Sequence, residues 1–449
     1  MKNKWMPNSW RLLTINQQPD WKKDDIYFSS IKKLTAFPPL VFAGEVNNLI
    51  HQLSEAAKGK AFVIQGGDCA ETFSDFSANS IKDKLKILLQ MSVVLTYGAK
   101  CNIIKIGRIA GQFAKPRSNR FERIGTKVLP AYRGDSVNGI EFNADSRKPN
   151  PKRLVKAYNQ SAATLNLLRA FTNGGYADLN KVHLWNQQFL ETSPEGKKYK
   201  KIAQSIDEAM KFIKTISMDN IDSMTKMTDF FTSHEALLLD YEEALTRKDS
   251  ITNKWYDCSA HFLWVGDRTR DINGAHIEFL SGINNPIGIK IGPTFNSKDL
   301  IPLLEKLNPD NIFGKVSLII RLGIDYIEEK LPKLIHIIKK NNKNVLWLCD
   351  PMHGNTFKTS DGIKTRDFST ILDELSIFFK IHHNHKSYPG GVHFELTGNN
   401  VTECLGGSQK ISHDDLKYHY ETACDPRLNN QQSLELAYLI TNLINKGAL

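Results

Sequence analysis

The chain has 449 residues, of which 41% are hydrophobic and 24% charged, and its formal net charge is +11. This length allows one large α/β barrel with additions or two to three ordinary domains, and the aromatic content argues against disorder. The basic balance indicates a solvated surface or anionic small substrates rather than nucleic acid, because no aromatic residues interleave the lysine runs. No stretch approaches the roughly 18 apolar residues of a membrane span, and the amino terminus has no apolar signal-peptide core. Six scattered cysteines do not make a disulfide framework, so we expect a cytoplasmic chain without a membrane partner.

The first 55 residues predict an irregular arm that packs on another surface, such as a neighbouring subunit, because tryptophans and a Pro-Pro pair interrupt any regular pattern. The strands begin at Phe62 with FVIQGG, an apolar run that is typical of a buried parallel strand. A helical pattern over residues 80–98 follows, and NIIKIGR is then the second strand. This alternation predicts a βαβ unit.

The alternation then breaks for about 159 residues, between Arg108 and Asp267. Apolar residues at helical spacing predict one helix around Leu154–Leu168 and another around Ile202–Ile213. Thr232 and Glu235 form a capping-box pattern, which predicts a third helix running to Leu245. We therefore expect an arm at 1–55 and an α/β unit at 56–449, with a helical insertion at about 150–255 between strands 2 and 3 of that unit.

Eight segments each end a predicted strand on a residue able to do chemistry: QGGDCAE, IGRIAGQ, LWVGDRTR, GIKIGP, LIIRLG, WLCDPMHG, HFELTG and ACDPRLN. In order they carry Cys69, Arg108, Asp267 with Arg268, Lys290, Arg321, His353, Glu395 and Asp425. A TIM (β/α)8 barrel builds its active site in this way, from strand ends that converge on one face. The pattern predicts that fold.

Four of these residues form a candidate metal site, made of one thiol, one imidazole and two carboxylates: Cys69, His353, Glu395 and Asp425. This donor set suits a borderline divalent ion such as Mn²⁺, Co²⁺, Fe²⁺ or Zn²⁺. No CxxC or HExxH motif is present, so the spacing alone is not specific. From the residues alone, a buried thiol, a hydrogen-bonded histidine and exposed carboxylates remain the alternative.

The cationic residues form a second set: Arg108, Lys115, Arg117, Arg268, Lys290 and Arg321. Lys290 and Arg321 end apolar strands, where an unpaired charge is costly. They fit a clamp for phosphate or carboxylate, and structural salt bridges at the barrel rim are the alternative. The turn Lys115-Pro116-Arg117-Ser118 is either a second phosphate site or a solvated loop.

Together, several long motifs in one order resemble the class II 3-deoxy-D-arabino-heptulosonate 7-phosphate (DAHP) synthases. They are QGGDCAETF, GRIAGQFAKPRS, YRGDSVNG, RTRDINGAHIEF, GIKIGP, CDPMHGNT, ELTGNNVTECLGG and ETACDPRLNNQQSLELA, and the resemblance runs from about Trp10 to Leu439. It implies a metal-dependent transferase that joins phosphoenolpyruvate to D-erythrose 4-phosphate and water, releasing phosphate, in the first step of the shikimate pathway. A related synthase that uses another aldose phosphate is the alternative.

The resemblance also implies roles for single residues. A divalent ion, Mn²⁺ first and Co²⁺, Fe²⁺, Zn²⁺ or Cd²⁺ as alternatives, would be held by Cys69, His353, Glu395 and Asp425. Phosphoenolpyruvate would be bound by Arg108, Asp267, Arg268, Lys290 and Arg321. Erythrose 4-phosphate would be bound by Lys115, Arg117, Ser118 and the Asp350-Pro351 turn. The catalytic residues would be Lys290, Asp267 and His353, with Lys290, His353 or a metal-bound water as the alternatives for protonating the new hydroxyl.

Two departures from the family pattern stand out, since Asp267 and Asn399 occupy positions where glutamate is expected. A carboxylate at 267 that is one methylene shorter puts the orientation of the attacking water in doubt. We also hypothesise that oxidation joins Cys69 to Cys424, because a metal shared by Cys69 and Asp425 would place Cys424 nearby; an inert core thiol is the alternative. The resemblance further implies that residues 56–449 form the catalytic barrel and that the arm at 1–55 serves assembly or regulation. It also implies a homo-oligomer, dimer or tetramer, and an aromatic amino acid as effector.

Overall fold

The computed structural model describes residues 5–193, 196–216 and 227–447. Eight parallel strands close into a barrel, in which each strand pairs with the next along the chain and the last returns to the first. They are β1 (Ala61–Gly67), β2 (Asn102–Arg108), β3 (Phe231–Glu235), β4 (Phe262–Val265), β5 (Ile287–Ile291), β6 (Val316–Ile320), β7 (Leu346–Cys349) and β8 (Gly391–Glu395). The predicted TIM barrel is confirmed.

Helices surround the barrel because each has one apolar face to bury. Those that follow strands are Ala78–Ala99, Leu239–Leu245, Ala275–Gly282, Leu300–Leu307, Ile324–Lys340, Phe368–Asn384 and Asn430–Gly447. Among the described residues, two α-helices precede the barrel, Asp25–Ala36 and Ala43–Ala57, and four lie between β2 and β3, Ala144–Arg147, Lys152–Asn173, Leu179–Thr192 and Gly196–Ile216. Three small hairpins pair Phe121–Ile124 with Lys127–Pro130, Thr246–Lys248 with Trp255–Asp257, and Phe357–Lys358 with Lys364–Thr365.

The helices between β2 and β3 pack against the long helix Ala78–Ala99. Leu85 and Leu89 of that helix share one apolar cluster with Leu168, Val182 and Ile206. The two helices predicted around Leu154–Leu168 and Ile202–Ile213 fall within Lys152–Asn173 and Gly196–Ile216, although the side chain of Ile213 lies outside the described residues. The proposed limits of the insertion and of the arm stay a prediction.

The prediction that a third helix of the insertion begins at Thr232 is wrong, because the residues from Thr232 to Glu235 belong to barrel strand β3. All five residues of this strand are buried, and its register pairs Ser233 with Phe262 of β4. Pairing with two neighbouring strands outweighed the local capping pattern, and a shorter helix, Leu239–Leu245, follows. Asp267 therefore follows the fourth strand rather than the third.

The short eighth strand expected before Asp425 is also wrong. The eighth strand is β8, which ends at Glu395, and Asp425 lies in the long loop that follows it. An isolated bridge between Leu396 and Leu428 brings the end of this loop back to the barrel. Asp425 thus reaches the carboxyl face by tertiary folding, not by ending a strand.

The barrel interior becomes more polar from the amino end to the carboxyl end. Inward positions alternate along each strand, so β3 contributes Phe231, then Ser233, then Glu235. The apolar layer packs against Leu49 and Leu53 of helix Ala43–Ala57, which covers the amino end. The other end is left for charged side chains.

The amino-terminal segment packs on its own chain. Trp5 donates its indole N–H to the carbonyl oxygen of Glu278 at 2.9 Å, and Trp10 donates to the Glu243 carboxylate at 2.8 Å. The segment therefore has contacts within its own chain, and a neighbouring subunit as a further contact stays a prediction. Within the described ranges, every helix is too short or too polar to span a bilayer.

Candidate active site

A cavity of about 810 Å³ opens at the carboxyl end of the barrel. Twelve predicted site residues line it: Cys69, Arg108, Lys115, Arg117, Ser118, Asp267, Arg268, Lys290, Arg321, His353, Glu395 and Asp425. Asp350 and Pro351 are buried and lie outside this lining. The barrel thus brings both predicted sets, the metal donors and the cations, to one cavity.

The predicted metal donors lie close together. One donor atom from each of Cys69, Glu395 and Asp425 falls within 4.8 Å of the other two, and His353 Nε2 lies 3.0 Å from Glu395 Oε1. Acidic groups this close repel each other unless a cation is shared. The ammonium group of Lys115 contacts both Cys69 Sγ and Asp425 Oδ2, so the cluster attracts a positive charge. A thiolate, an imidazole and two carboxylates fit a divalent ion.

Asp350 orients His353 from below the cavity. Its carboxylate lies 2.7 Å from His353 Nδ1, and Nε2 of the same ring faces the donor cluster. A carboxylate behind a histidine is the usual support of a metal-bound imidazole. Burial raises the pKa of Asp350, but His353 and Lys290 together hold it well below its ordinary value. The structure thus places Asp350 behind His353, and its predicted contact with the sugar stays a prediction.

Lys290 lies between Asp350 and the cavity. Its ammonium group is 2.5 Å from Asp350 Oδ2 and 5.9 Å from the centre of the Trp264 ring. Burial lowers the pKa of Lys290 to about 8, against the opposing effect of Asp350. A lysine with a pKa near neutrality can both bind an anion and give up a proton.

Two arginines at the cavity differ in how fully they are paired. Arg108 is almost fully engaged: it donates to the carbonyl oxygen of Asp68 at 3.0 Å, to Glu395 Oε1 at 3.1 Å and to His393 Nε2 at 2.6 Å. The Nε atom of Arg321 is instead buried without a hydrogen-bond partner in the described part of the chain. An unsatisfied guanidinium N–H beside a cavity is suited to an anionic ligand.

Asp267 lies beside these arginines. Its carboxylate contacts Arg270 and lies 3.9 Å from Arg321 Nη1. Arg268 reaches across the cavity and donates to Ser118 Oγ at 2.5 Å. The Asp267 carboxylate thus already has two arginine neighbours, Arg270 in its own loop and Arg321 after β6.

The residues predicted to bind the sugar phosphate are divided. Arg117 pairs with Glu122 at 2.5 Å, and Glu122 in turn is held by the buried Arg147 at 2.6 Å. Lys115 turns inward to the thiol and carboxylate of the metal donors. Arg117 and Ser118 therefore stand at the mouth of the cavity, and Lys115 lies deeper.

Known proteins with similar sequences identify the family of this chain. The sequence profile of the Class-II DAHP synthetase family matches residues 5–441. The chain belongs to this family. It is 50% identical over 436 residues to the phospho-2-dehydro-3-deoxyheptonate aldolase of Streptomyces coelicolor, covering 97% of this chain and 96% of that protein. The corresponding enzyme AroG of Mycolicibacterium smegmatis is 46% identical over 433 residues, covering 95% and 92%.

A truncated 3-deoxy-D-arabino-heptulosonate 7-phosphate synthase from Thermotoga maritima is similar at a TM-score of 0.34 and 12% identity, with 86% of each chain covered. The barrel assignment does not depend on this likeness, since it follows from the closed order of the eight strands.

The sequence analysis did not predict Glu235 as a site residue. Glu235 ends β3, lines the cavity and has one buried carboxyl oxygen without a hydrogen-bond partner among the described residues. Burial raises the pKa of Glu235 to about 7, although Lys290 and Lys115 act in the opposite direction. The alternation of Phe231, Ser233 and Glu235 would have identified it, had the segment been taken as a strand.

Two further basic residues were missed because they lie in loops without a recognisable pattern. Arg366 is completely buried and binds Glu395 Oε2 at 2.6 Å, and Lys364 binds Asp425 Oδ1 at 2.9 Å. Each neutralises a carboxylate of the metal cluster. Only the folded chain shows this.

Proposed function

We propose that this chain condenses phosphoenolpyruvate with D-erythrose 4-phosphate and water to give DAHP and inorganic phosphate, the first step of the shikimate pathway. The observation that carries the proposal is the single cavity in which a thiol–imidazole–carboxylate donor set lies beside Lys290 and Arg321. Membership of the Class-II DAHP synthetase family supports it.

Cys69, His353, Glu395 and Asp425 would hold a divalent ion, which supplies Lewis acidity at the aldehyde carbonyl when bound. Asp350 keeps the ring of His353 turned toward this donor set. Arg366 and Lys364 balance the carboxylates, so that the donor cluster is stable before it takes up an ion. Mn²⁺ remains our first choice, and Co²⁺, Fe²⁺, Zn²⁺ and Cd²⁺ stay alternatives.

Phosphoenolpyruvate would lie against the cations at the ends of β4, β5 and β6. Arg321 offers its unsatisfied Nε–H, and Lys290 and Arg268 add positive charge around the phosphate and carboxylate. Fixed cations of this kind position the substrate and stabilise the charge that develops on the leaving phosphate. Arg117 and Ser118 at the mouth would bind the phosphate of the sugar.

Proton transfer would use two groups whose pKa values lie near neutrality. The methylene carbon of phosphoenolpyruvate attacks the aldehyde, and Lys290 protonates the new hydroxyl, since its pKa is lowered to about 8. Water then adds to the enol carbon, and Glu235 accepts its proton through the unpartnered carboxyl oxygen. Phosphate leaves from the resulting hemiketal. His353 is a weaker candidate for the donor because its Nδ1 is engaged by Asp350.

The experiment is the loss of the ultraviolet absorbance of phosphoenolpyruvate on addition of erythrose 4-phosphate. We expect a loss that requires the aldehyde, stops with a chelator and returns with Mn²⁺. No loss with any of the five metals and reduced thiols would overturn the proposal. Loss with arabinose 5-phosphate but not with erythrose 4-phosphate would replace the sugar substrate. The oligomer, the aromatic amino acid effector and the cytoplasmic location stay predictions.

A further inference from the structure

Two loops at the carboxyl face each carry one predicted site residue, one of them a cation and the other a metal donor. Arg321 directly follows β6, and His353 lies in the loop after β7. The loops touch at Gly323 and Gly354: a Cβ built on Gly354 would lie 2.4 Å from the backbone nitrogen of Gly323, and a Cβ on Gly323 would lie 2.9 Å from the carbonyl oxygen of Gly354. No side chain fits between them, so the backbones of the two loops are in direct contact.

A buried carboxylate joins these loops from outside the cavity. Glu374, on helix Phe368–Asn384, is fully buried. Its Oε1 accepts the backbone N–H of Gly323 at 2.9 Å, and its Oε2 accepts the side-chain amide of Asn355 at 2.6 Å. We call Gly323, Asn355 and Glu374 the loop clip.

Asn355 completes the connection. Its Oδ1 accepts the backbone N–H of Ile324 at 3.1 Å, and its Nδ2 also donates to the carbonyl oxygen of Pro351 at 2.8 Å. The amide is thereby fixed in one orientation, because a flip would lose both contacts. Asn355 thus ties the start of helix Ile324–Lys340 to the turn that precedes His353.

The loop clip is costly as a purely structural device. Within the described residues Glu374 forms no ion pair, and taking an unpaired carboxylate out of water is unfavourable. Burial raises the pKa of Glu374 to about 8, whereas the hydrogen bonds from Asn355 and Gly323 favour the ionised form, which accepts at both oxygens.

We propose that Glu374 is a positioning residue that acts through Gly323 and Asn355 to hold the Arg321 loop and the His353 loop in one relative geometry. The metal donor set and the anion clamp would then keep a constant separation, as a reaction between two bound substrates requires. The inference rests on the proposed function only for the identity of the ligands that the two loops bind.

The test is Glu374→Gln in the full chain. Glutamine can still accept from Gly323 N–H, but its Nε2 would face Nδ2 of Asn355, donor against donor, and Asn355 cannot flip without losing its other contacts. Calorimetry measures the affinity for Mn²⁺ and the affinity for phosphoenolpyruvate with and without Mn²⁺. Turnover and the thermal midpoint of unfolding are measured separately. Exposed Asp373 on the same helix offers the matched control, Asp373→Asn.

We expect roughly 10- to 100-fold weaker Mn²⁺ binding for Glu374→Gln, with a matching loss of turnover, as for other supports of metal ligands. A merely structural role predicts a lower thermal midpoint with unchanged affinities. Asp373→Asn should match the wild type in every measurement. Wild-type affinities and turnover in folded Glu374→Gln would overturn the inference.

A second variant tests the geometry itself. When Asn355→Asp is combined with Glu374→Gln, the donor and the acceptor change places. The glutamine amide at position 374 can then donate to the carboxylate at position 355, and the backbone N–H of Ile324 keeps its acceptor, whereas the carbonyl oxygen of Pro351 loses its donor. We expect this double variant to recover at least part of the lost affinity, and no recovery would count against the inference. If Glu374→Gln does not fold, Asn355→Ser removes the link to Glu374 together with the contacts to Ile324 and Pro351, and unchanged affinities in this variant would likewise overturn the inference.

The two proposals can fail separately. Wild-type chain that binds Mn²⁺ and phosphoenolpyruvate without turnover, while Glu374→Gln binds them weakly, would remove the proposed reaction and keep the positioning role. Turnover by the wild-type chain, with the same kinetics and affinities in Glu374→Gln, would keep the proposed reaction and remove the positioning role.

Discussion

The two ends of the barrel each bury a lysine, in contrasting surroundings. At the amino end, Lys315 directly precedes β6 and donates to the carbonyl oxygens of Ile283 and Asn285 at 2.7 and 2.6 Å. At the carboxyl end, Lys290 pairs with Asp350 at 2.5 Å and faces the cavity of about 810 Å³. Burial lowers the pKa of Lys315 to about 7 and that of Lys290 to about 8.

A shifted pKa therefore does not distinguish a functional lysine from a structural one in this molecule. What differs is the partner. The ammonium group of Lys315 satisfies backbone carbonyls next to a layer covered by helix Ala43–Ala57, whereas Lys290 is held by a carboxylate that also orients His353. We call the carboxyl end, where Lys290 has a charged partner beside an open cavity, the working end. We call the amino end, where Lys315 has neutral partners under a covering helix, the supporting end.

The largest expected effect is at the metal donors of the working end. Cys69→Ala should lower kcat by at least ~100-fold, because loss of a ligand costs more than the 10–100-fold typical of a ligand's support. Mn²⁺ titration and turnover measure it. Cys101→Ala, at the amino end beside β2, is the control and should match the wild type. Equal turnover of the two variants would remove Cys69 from the proposed site.

The two lysines provide the next comparison. Lys290→Met should lower kcat by roughly 10²–10³-fold, as removal of a fixed charge-stabilising donor does, whereas Lys315→Met should leave kcat within a few-fold of wild type. Steady-state kinetics with both substrates check this. A large loss in Lys315→Met, in chain that remains folded, would mean that the two ends are coupled.

The thiols give a smaller, conditional effect. The side chains of Cys69 and Cys424 interact directly, and all six cysteines are free. If oxidation joins these two, mild oxidant should remove two thiols and the activity together, and reductant should restore both. Cys424→Ala should keep its activity under oxidant. Both thiols remaining free in oxidised wild type would sink the disulfide hypothesis.

The smallest expected effect is the pH dependence of stability at the supporting end. The pKa of Lys315 is about 7 in the folded chain and 10.5 for an ordinary lysine, so the folded chain binds fewer protons than the unfolded chain between these values. The stability contribution of Lys315 is therefore complete above about pH 10.5 and is lost as the pH falls toward 7.

The difference in unfolding free energy between wild type and Lys315→Met should rise with pH in this window, by at most ~1.4 kcal/mol per pH unit. Denaturant unfolding from pH 7 upward measures the slope. A difference that is independent of pH would show that Lys315 stays protonated in the fold. The same series on Asp373→Asn, at an exposed position, gives the background slope.

Much of the working end followed from local patterns. Arg108, Lys290, Arg321 and Glu395 lie at or near the ends of apolar strands, so their convergence could be predicted once a parallel barrel was assumed. The same logic failed at β3, where Thr232 and Glu235 imitate a helix start, and at Asp425, which arrives on a loop rather than a strand. Local spacing cannot tell these cases apart, since pairing partners more than twenty residues away decide them.

The sequence by itself determined the barrel, the family and twelve of the residues that line the cavity, because alternation and motif order are local properties of the chain. Tertiary structure alone decided what those residues touch: Asp350 beneath His353, Lys115 against Cys69, and Glu374 across two loops. The physical reason is burial. A charge withdrawn from water must find its partner wherever the fold brings one, and that partner can lie hundreds of residues away, as Cys69 and Asp425 do.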